Sequence, residues 1–136
     1  MPLLIWTEDM KVNVEVLDDD HQKLFEMMNE LHESITAGHD KNMLREIIAR
    51  LLKRTKTHLD HEEHLLEQTG YPGLAAHKLE HDRMKQRSRK LYDRFESGSL
   101  AVVSIELKSF LQNWWLMHIQ GADKQYGPYL NSKGIH

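Results

Sequence analysis

HLDHEEHLLEQTGYPGLAAHKLEH, residues 58–81, holds five histidines and four glutamates, and Gly70-Tyr71-Pro72-Gly73 breaks it in two. Glycine and proline punctuate helices, so the break is read as a turn. Before it, Leu44, Ile47, Leu51, Thr55, His58, Glu62 and Leu65 recur at steps of three and four. After it, Leu74, His77, His81, Met84, Ser88, Leu91 and Phe95 keep the same step. That period belongs to one face of a helix. The stretch is therefore a helical hairpin whose inward faces carry imidazole and carboxylate where apolar groups are expected. It is either a solvated, charge-rich hairpin or the ligand shell of a metal site.

The same period extends outward. His21, Leu24, Met28, Leu31 and Ile35 define an earlier helix, with Asp18 to Asp20 ahead of it as capping candidates. Leu100, Val103, Leu107, Leu111, Trp114 and His118 define a later one. Helices are expected at about 19–37, 41–67, 74–96 and 100–121, preceded by an irregular arm over residues 1–17 and followed by a C-terminal tail. The arm carries Trp6 and alternating Val12, Val14 and Val16, which predicts packing on the helices. Four helices with short connections predict an all-α fold, an antiparallel up-down-up-down four-helix bundle. Residues 1–136 form one domain of ordinary size.

Composition narrows the function. With 29% charged and 40% hydrophobic residues and a net charge of −3, the chain is that of a globular protein with no electrostatic footprint for nucleic acid. The absence of cysteine excludes disulfides, thiolate–zinc sites and cysteine nucleophiles. No apolar run approaches a membrane span of ~20 residues, and MPLLIWTEDM lacks the pattern of a signal peptide. A cytoplasmic location with no stable membrane insertion is the expectation.

In an antiparallel bundle the inward polar residues collect at one end. His21 opens the first helix, His58 and Glu62 lie late in the second, His77 and His81 open the third, and His118 lies late in the fourth. One such histidine is ordinarily a core residue bonded to a carbonyl. Burying six polar groups without partners would cost roughly 1–3 kcal/mol each, and a metal supplies the partner for all. His61 and His64 fall about 60° and 120° from the His58 direction at ~3.6 residues per turn, which places them on the surface. His77-Lys78-Leu79-Glu80-His81 also matches the inverted zinc-peptidase motif, but that leaves the other inward residues unexplained. No glutamate is followed by histidine at the third position, so a ferritin-like carboxylate site is excluded. Imidazole suits Fe, Zn, Cu and Ni alike.

The spacing resembles that of the hemerythrin family, and of its single-domain bacterial members in particular. The resemblance rests on Asp18 three before His21, His58-Leu-Asp-His-Glu62, Tyr71-Pro72, His77-Lys-Leu-Glu-His81, and Trp114 ahead of His118-Ile-Gln-Gly-Ala-Asp123, with Tyr126 beyond. It spans Trp6 to Tyr126. It implies a non-haem di-iron centre with seven ligands: His21, His58, Glu62, His77, His81, His118 and Asp123. Glu62 and Asp123 would bridge two Fe ions together with a hydroxo or oxo group. His77, His81 and His118 would complete one iron. His21 and His58 would hold the other, leaving a position open for dioxygen. Leu24, Leu59, Trp114, Trp115 and Ile119 are implied as the pocket around that position. Leu59 stands where the family commonly has Phe, and Trp115 where it commonly has Leu.

The implied function is reversible dioxygen binding, for storage or for delivery to an oxygen-consuming enzyme, without catalysis. An oxygen- or redox-sensing module and a di-iron peroxidase or oxidase are the rival readings. One further expectation follows from spacing. His118 and Asp123 are five apart, about 140° around a helix of ~3.6 residues per turn. Both reach one centre only if the helix widens locally, and Gly121 between them would ease that change.

Overall fold

The computed structural model describes residues 4–98 and 100–136, with side chains described outside residues 100–104. The inward placement expected for Leu100 and Val103, and the first three residues of the arm, lie outside the described residues. Four long helices are present: α1 (Glu15–Thr36), α2 (Lys41–Gln68), α3 (Leu74–Ser97) and α4 (Leu100–His118). A π-helical turn, Ile119–Asp123, leads directly into α5 (Lys124–Ser132). Among the described residues there is no strand. Each long helix packs on the next, and α1 also packs on α4, closing the ring of an antiparallel four-helix bundle. None of these helices is long and apolar enough to cross a membrane.

The turns follow the sequence chemistry. Gly38 and Gly70 take positive φ of 73° and 70° after α1 and α2, a conformation that costs glycine least. Asp40 caps α2 by accepting from the Met43 amide at 2.9 Å. Leu24, Met28, Leu31, Leu51, Met84, Phe95, Leu107 and Leu111 fill the axis of the bundle. Each contributes about 1.5–3 kcal/mol by leaving water. Leu65, expected inward, is only half-buried, and the adjacent Leu66 takes the buried place.

The start of α1 differs from expectation. α1 begins at Glu15, not near residue 19, and the acidic run lies inside it. Asn13 has φ of 65° and Val14 is extended, so the chain turns into the helix before the aspartates are reached. Asp18 folds back and accepts from the Val12 amide at 2.8 Å, tying arm to helix instead of capping it. Val12 and Val14 are buried, but Val16, already helical, is exposed. The arm is further held by Asn29, which bonds both the amide and the carbonyl of Leu4, at 2.7 and 2.9 Å. It carries a short 3-10 turn, Glu8–Met10. The C-terminal tail carries a further helix, α5. α5 runs on from the π turn at the open end of the bundle, where Tyr126 and Leu130 pack against Val12, Val14, Leu17 and Leu66.

The expected widening of the last helix is present as the π turn. Gly121 is not what permits it. Its φ is ordinary, and a Cβ added there would meet nothing within 4 Å.

Candidate metal centre

Helix register carries five histidines and two carboxylates to the end of the bundle closed by the arm and α5. His21, His58, Glu62, His77, His81, His118 and Asp123 are all buried. Glu62, His77, His81, His118 and Asp123 each bring one ligand atom within 4.8 Å of the others, and so do His21, His58 and Glu62.

The two carboxylates divide the imidazoles. Glu62 Oε1 lies 2.5 Å from His77 Nε2 and 3.2 Å from His81 Nε2. Its Oε2 lies 3.2 Å from His58 Nε2 and 3.6 Å from His21 Nε2. Asp123 Oδ1 lies 3.0 Å from His77 and 2.9 Å from His118, while Oδ2 lies 3.2 Å from His21. Each carboxylate thus gives one oxygen to a three-histidine side and one to a two-histidine side. His81 Nε2 and His118 Nε2 are 3.0 Å apart. Two imidazole lone pairs at that distance repel unless a proton or a cation lies between them. The π turn makes this arrangement possible, because it swings Asp123 round to the face that His118 occupies.

The donor atoms fit a pair of cations. His21 Nδ1 and Nε2, His58 Nε2 and both Asp123 oxygens are buried without a hydrogen-bond partner. Such groups cost roughly 1–3 kcal/mol each when unpartnered. Without metal the cluster holds protons instead. Burial disfavours the charged imidazole of His21, but the carboxylates of Asp123 and Glu62, 3.2 and 3.6 Å from its Nε2, outweigh it and raise the pKa to about 9. The same opposition at His77, with Asp123 and Glu62 as partners, raises it to about 10. Burial pushes Asp123 and Glu62 up, yet the surrounding histidines hold both below the ordinary carboxylate range.

Outer groups aim the imidazoles. His58 Nδ1 donates to Asp20 Oδ2 at 3.1 Å, which leaves Nε2 to face the centre, and Asp20 Oδ1 is held by Arg54 at 3.1 Å. Glu63 lies 3.7 Å from His81 Nδ1, and Glu80 3.7 Å from His118 Nδ1. Tyr126 is fully buried and donates its hydroxyl to Glu62 Oε2 at 2.9 Å. Sequence reasoning assigned Asp20 to capping and missed its role. The available signal was Arg54 and His58, a cationic i,i+4 pair facing the neighbouring helix. His61 and His64 are exposed, as their angles required.

The pocket residues divide between the two sides. Trp115 is fully buried, with its ring 5.9 Å from that of His21 and 5.7 Å from that of His58. Leu24, Leu59 and Ile119 are fully buried in the same cluster. Trp114 is not on that side. It stacks on His118 with centroids 4.2 Å apart and planes at 17°, and it lines an open surface depression of about 370 Å³ beside Met117 and Gly121. Adjacent residues point about 100° apart on a helix, so only one of the two tryptophans can face the two-histidine side. Trp6 from the arm fills part of that wall, 6.5 Å from His21, and was not foreseen there.

A four-helix bundle with five buried imidazoles and two buried carboxylates gathered at one end has the donor set of a metal-binding protein. Residues 12–130 match the family described as hemerythrin HHE cation binding domain. The chain belongs to the hemerythrin family. It is 35% identical to a bacteriohemerythrin of Stenotrophomonas maltophilia, over 93% of this chain and 80% of that protein. It is 33% identical to the bacteriohemerythrin of Methylococcus capsulatus, over 97% of this chain and the whole of that protein. The fold superposes on a crystal structure of wild-type hemerythrin with a TM-score of 0.85, at 31% identity, covering 93% of this chain and 96% of that one.

Proposed function

We propose that His21, His58, Glu62, His77, His81, His118 and Asp123 hold two iron ions, and that the protein binds dioxygen reversibly. Storage, or delivery to an oxygen-consuming enzyme in the cytoplasm, is the use this reading assigns. One observation carries it: each of two buried carboxylates offers one oxygen to a three-histidine side and the other to a two-histidine side. A pair of ferrous ions bound there supplies the electrons that dioxygen binding requires.

The chain's own groups make the binding reversible. On their side His21 and His58 supply one imidazole fewer than the other three histidines do, so a metal held there would have room for one further ligand, as ligand-binding metal sites require. Trp115, Leu24, Leu59 and Ile119 wall that side with apolar surface and keep out water and protons. Asp20 fixes the ring of His58, and Tyr126 fixes Glu62. None of these residues is arranged as a spare general acid beside a substrate-sized cavity, which favours binding over turnover.

Elemental analysis and an optical spectrum test the proposal. The expected result is two irons per chain and a visible band that appears when the anaerobic Fe(II) protein meets air and disappears when oxygen is removed. A single zinc held by His77 and His81, or a band that never reverses, would overturn it.

A further inference from the structure

The helical period turns two hydroxyl residues inward that the metal centre does not use. Thr55 stands on α2 one turn before His58, and Ser88 on α3 two turns beyond His81. Both are buried, and both line one cleft between the two helices, with a volume of about 550 Å³. That is the size of a small-molecule site. Leu52, Met84 and Tyr92 give the cleft a largely apolar wall. The two hydroxyls in it are poorly served. Thr36, Thr57 and Thr69 turn theirs onto the carbonyl four residues back, at 2.9, 3.0 and 3.0 Å. Thr55 Oγ1 has no hydrogen-bond partner. Ser88 donates to the Met84 sulfur at 3.6 Å, and a thioether is a weak acceptor. Packing alone would place valine and alanine here, because a buried hydroxyl without a good partner is costly. The mouth of the cleft carries Lys56, Lys85 and Arg89 beside Asp93. Asp60 engages Lys56 at 3.5 Å and Lys85 at 3.1 Å. Arg89 has no carboxylate partner among the described residues.

We propose that the cleft between α2 and α3 binds a monocarboxylic acid with an apolar body, of which a medium-chain fatty acid is the simplest. The carboxylate pairs with Arg89, whose fork of donors matches two oxygens, and accepts from the Thr55 and Ser88 hydroxyls. The alkyl chain covers Leu52, Met84 and Tyr92 and takes their apolar surface out of water. A neutral alcohol would leave Arg89 unpaired, and inorganic phosphate would leave the apolar wall wet. None of the residues lining the cleft is a candidate metal ligand. The site therefore stands apart from oxygen binding and does not rest on the iron reading.

The test titrates decanoate, below its micellar concentration, into the purified full-length protein by calorimetry. Its place is read by NMR of protein whose methionine methyls carry carbon-13. The expected result is one saturable site per chain, with the Met84 methyl signal shifted and that of Met28, on the bundle axis, unmoved. Decanol, which lacks the charge, should bind about tenfold more weakly or worse. Arg89→Gln, at an exposed residue, should weaken decanoate about tenfold while the melting temperature holds. Thr55→Val removes a hydroxyl that has no partner in the free protein, so the fold should be as stable or more so. Decanoate should bind that variant about threefold more weakly or worse, for want of one donor. Metal content should match the parent in both variants. Decanol that binds as tightly as decanoate, or decanoate that shifts all the methionine methyls alike, reduces the cleft to an apolar patch and overturns the proposal. Affinity left unchanged by Arg89→Gln or by Thr55→Val overturns it too, as does a titration that never saturates.

Discussion

At the scale of single residues the centre depends on which side chains face inward and how they are held. His77 touches both Glu62 and Asp123, whereas His61 is exposed and only 3.7 Å from Asp20 at its nearest. His77→Ala is expected to abolish metal binding, and His61→Ala to leave the metal content of purified protein unchanged. Equal losses would mean that the register of α2 is wrong. Asp20→Asn removes the acceptor that aims His58, and outer groups of this kind are worth about 10–100-fold in metal affinity. A competitive chelator titration should show a loss in that range with the helical content intact. Trp115 forms the wall nearest His21 and His58. Trp115→Leu leaves a void and is expected to cost about 2 kcal/mol in a denaturation curve. It should also speed azide entry and autoxidation in stopped-flow measurements, while the metal content holds. Unchanged rates would make Trp115 a packing residue alone.

At the scale of elements the bundle end is a joint between arm, π turn and α5, and two glycines there behave differently. Gly121, inside the π turn, has open space where a Cβ would stand. Gly121→Ala should be neutral or stabilising by up to about 1 kcal/mol, because alanine restricts the unfolded chain more than glycine does. Gly127 in α5 lies directly beneath the Val12 carbonyl, and a Cβ there would collide with that oxygen. Backbone cannot swing aside as a side chain can. Gly127→Ala is therefore expected to lift the arm and cost about 1–3 kcal/mol, as overpacking does. Thermal denaturation of the two variants side by side checks the contrast. The same crowding explains why the arm reaches the centre: Val12 is pinned between the Asp18 carboxylate and α5, and Trp6 is carried in behind His21.

At the scale of the whole molecule the buried cluster links metal, protons and stability. His21 and His77 have pKa values raised to about 9 and about 10, above an unfolded value near 6.5. Protonation of these groups therefore stabilises the metal-free fold fully below pH ~6.5, and that contribution is lost as pH rises through about 9 to 10. Metal needs the unprotonated imidazole, so loading at neutral pH must expel protons. Anaerobic titration in weak buffer should show proton release with each metal bound, and apparent affinity climbing from neutral pH toward about 9. The metal-free protein should lose stability over the same interval. Metal uptake without proton release would contradict the protonation of the cluster.

Local patterning fixed much of this. The three-four step and the Gly and Pro breaks specify four helices, because helical period and turn chemistry act over a few residues. They also bring His21, His58, Glu62, His77, His81 and His118 to one end, and the five-residue gap to Asp123 demanded a wide turn. What the period could not resolve was anything decided by a partner distant in the chain. The start of α1 was set by Asp18 bonding Val12, and the role of Asp20 by Arg54 and His58 across α2. The two sides of the centre separated Trp114 from Trp115. Helical phase assigns a face to within about one residue, 100° of arc. Which neighbour meets that face is settled only when the helices, the arm and α5 pack together.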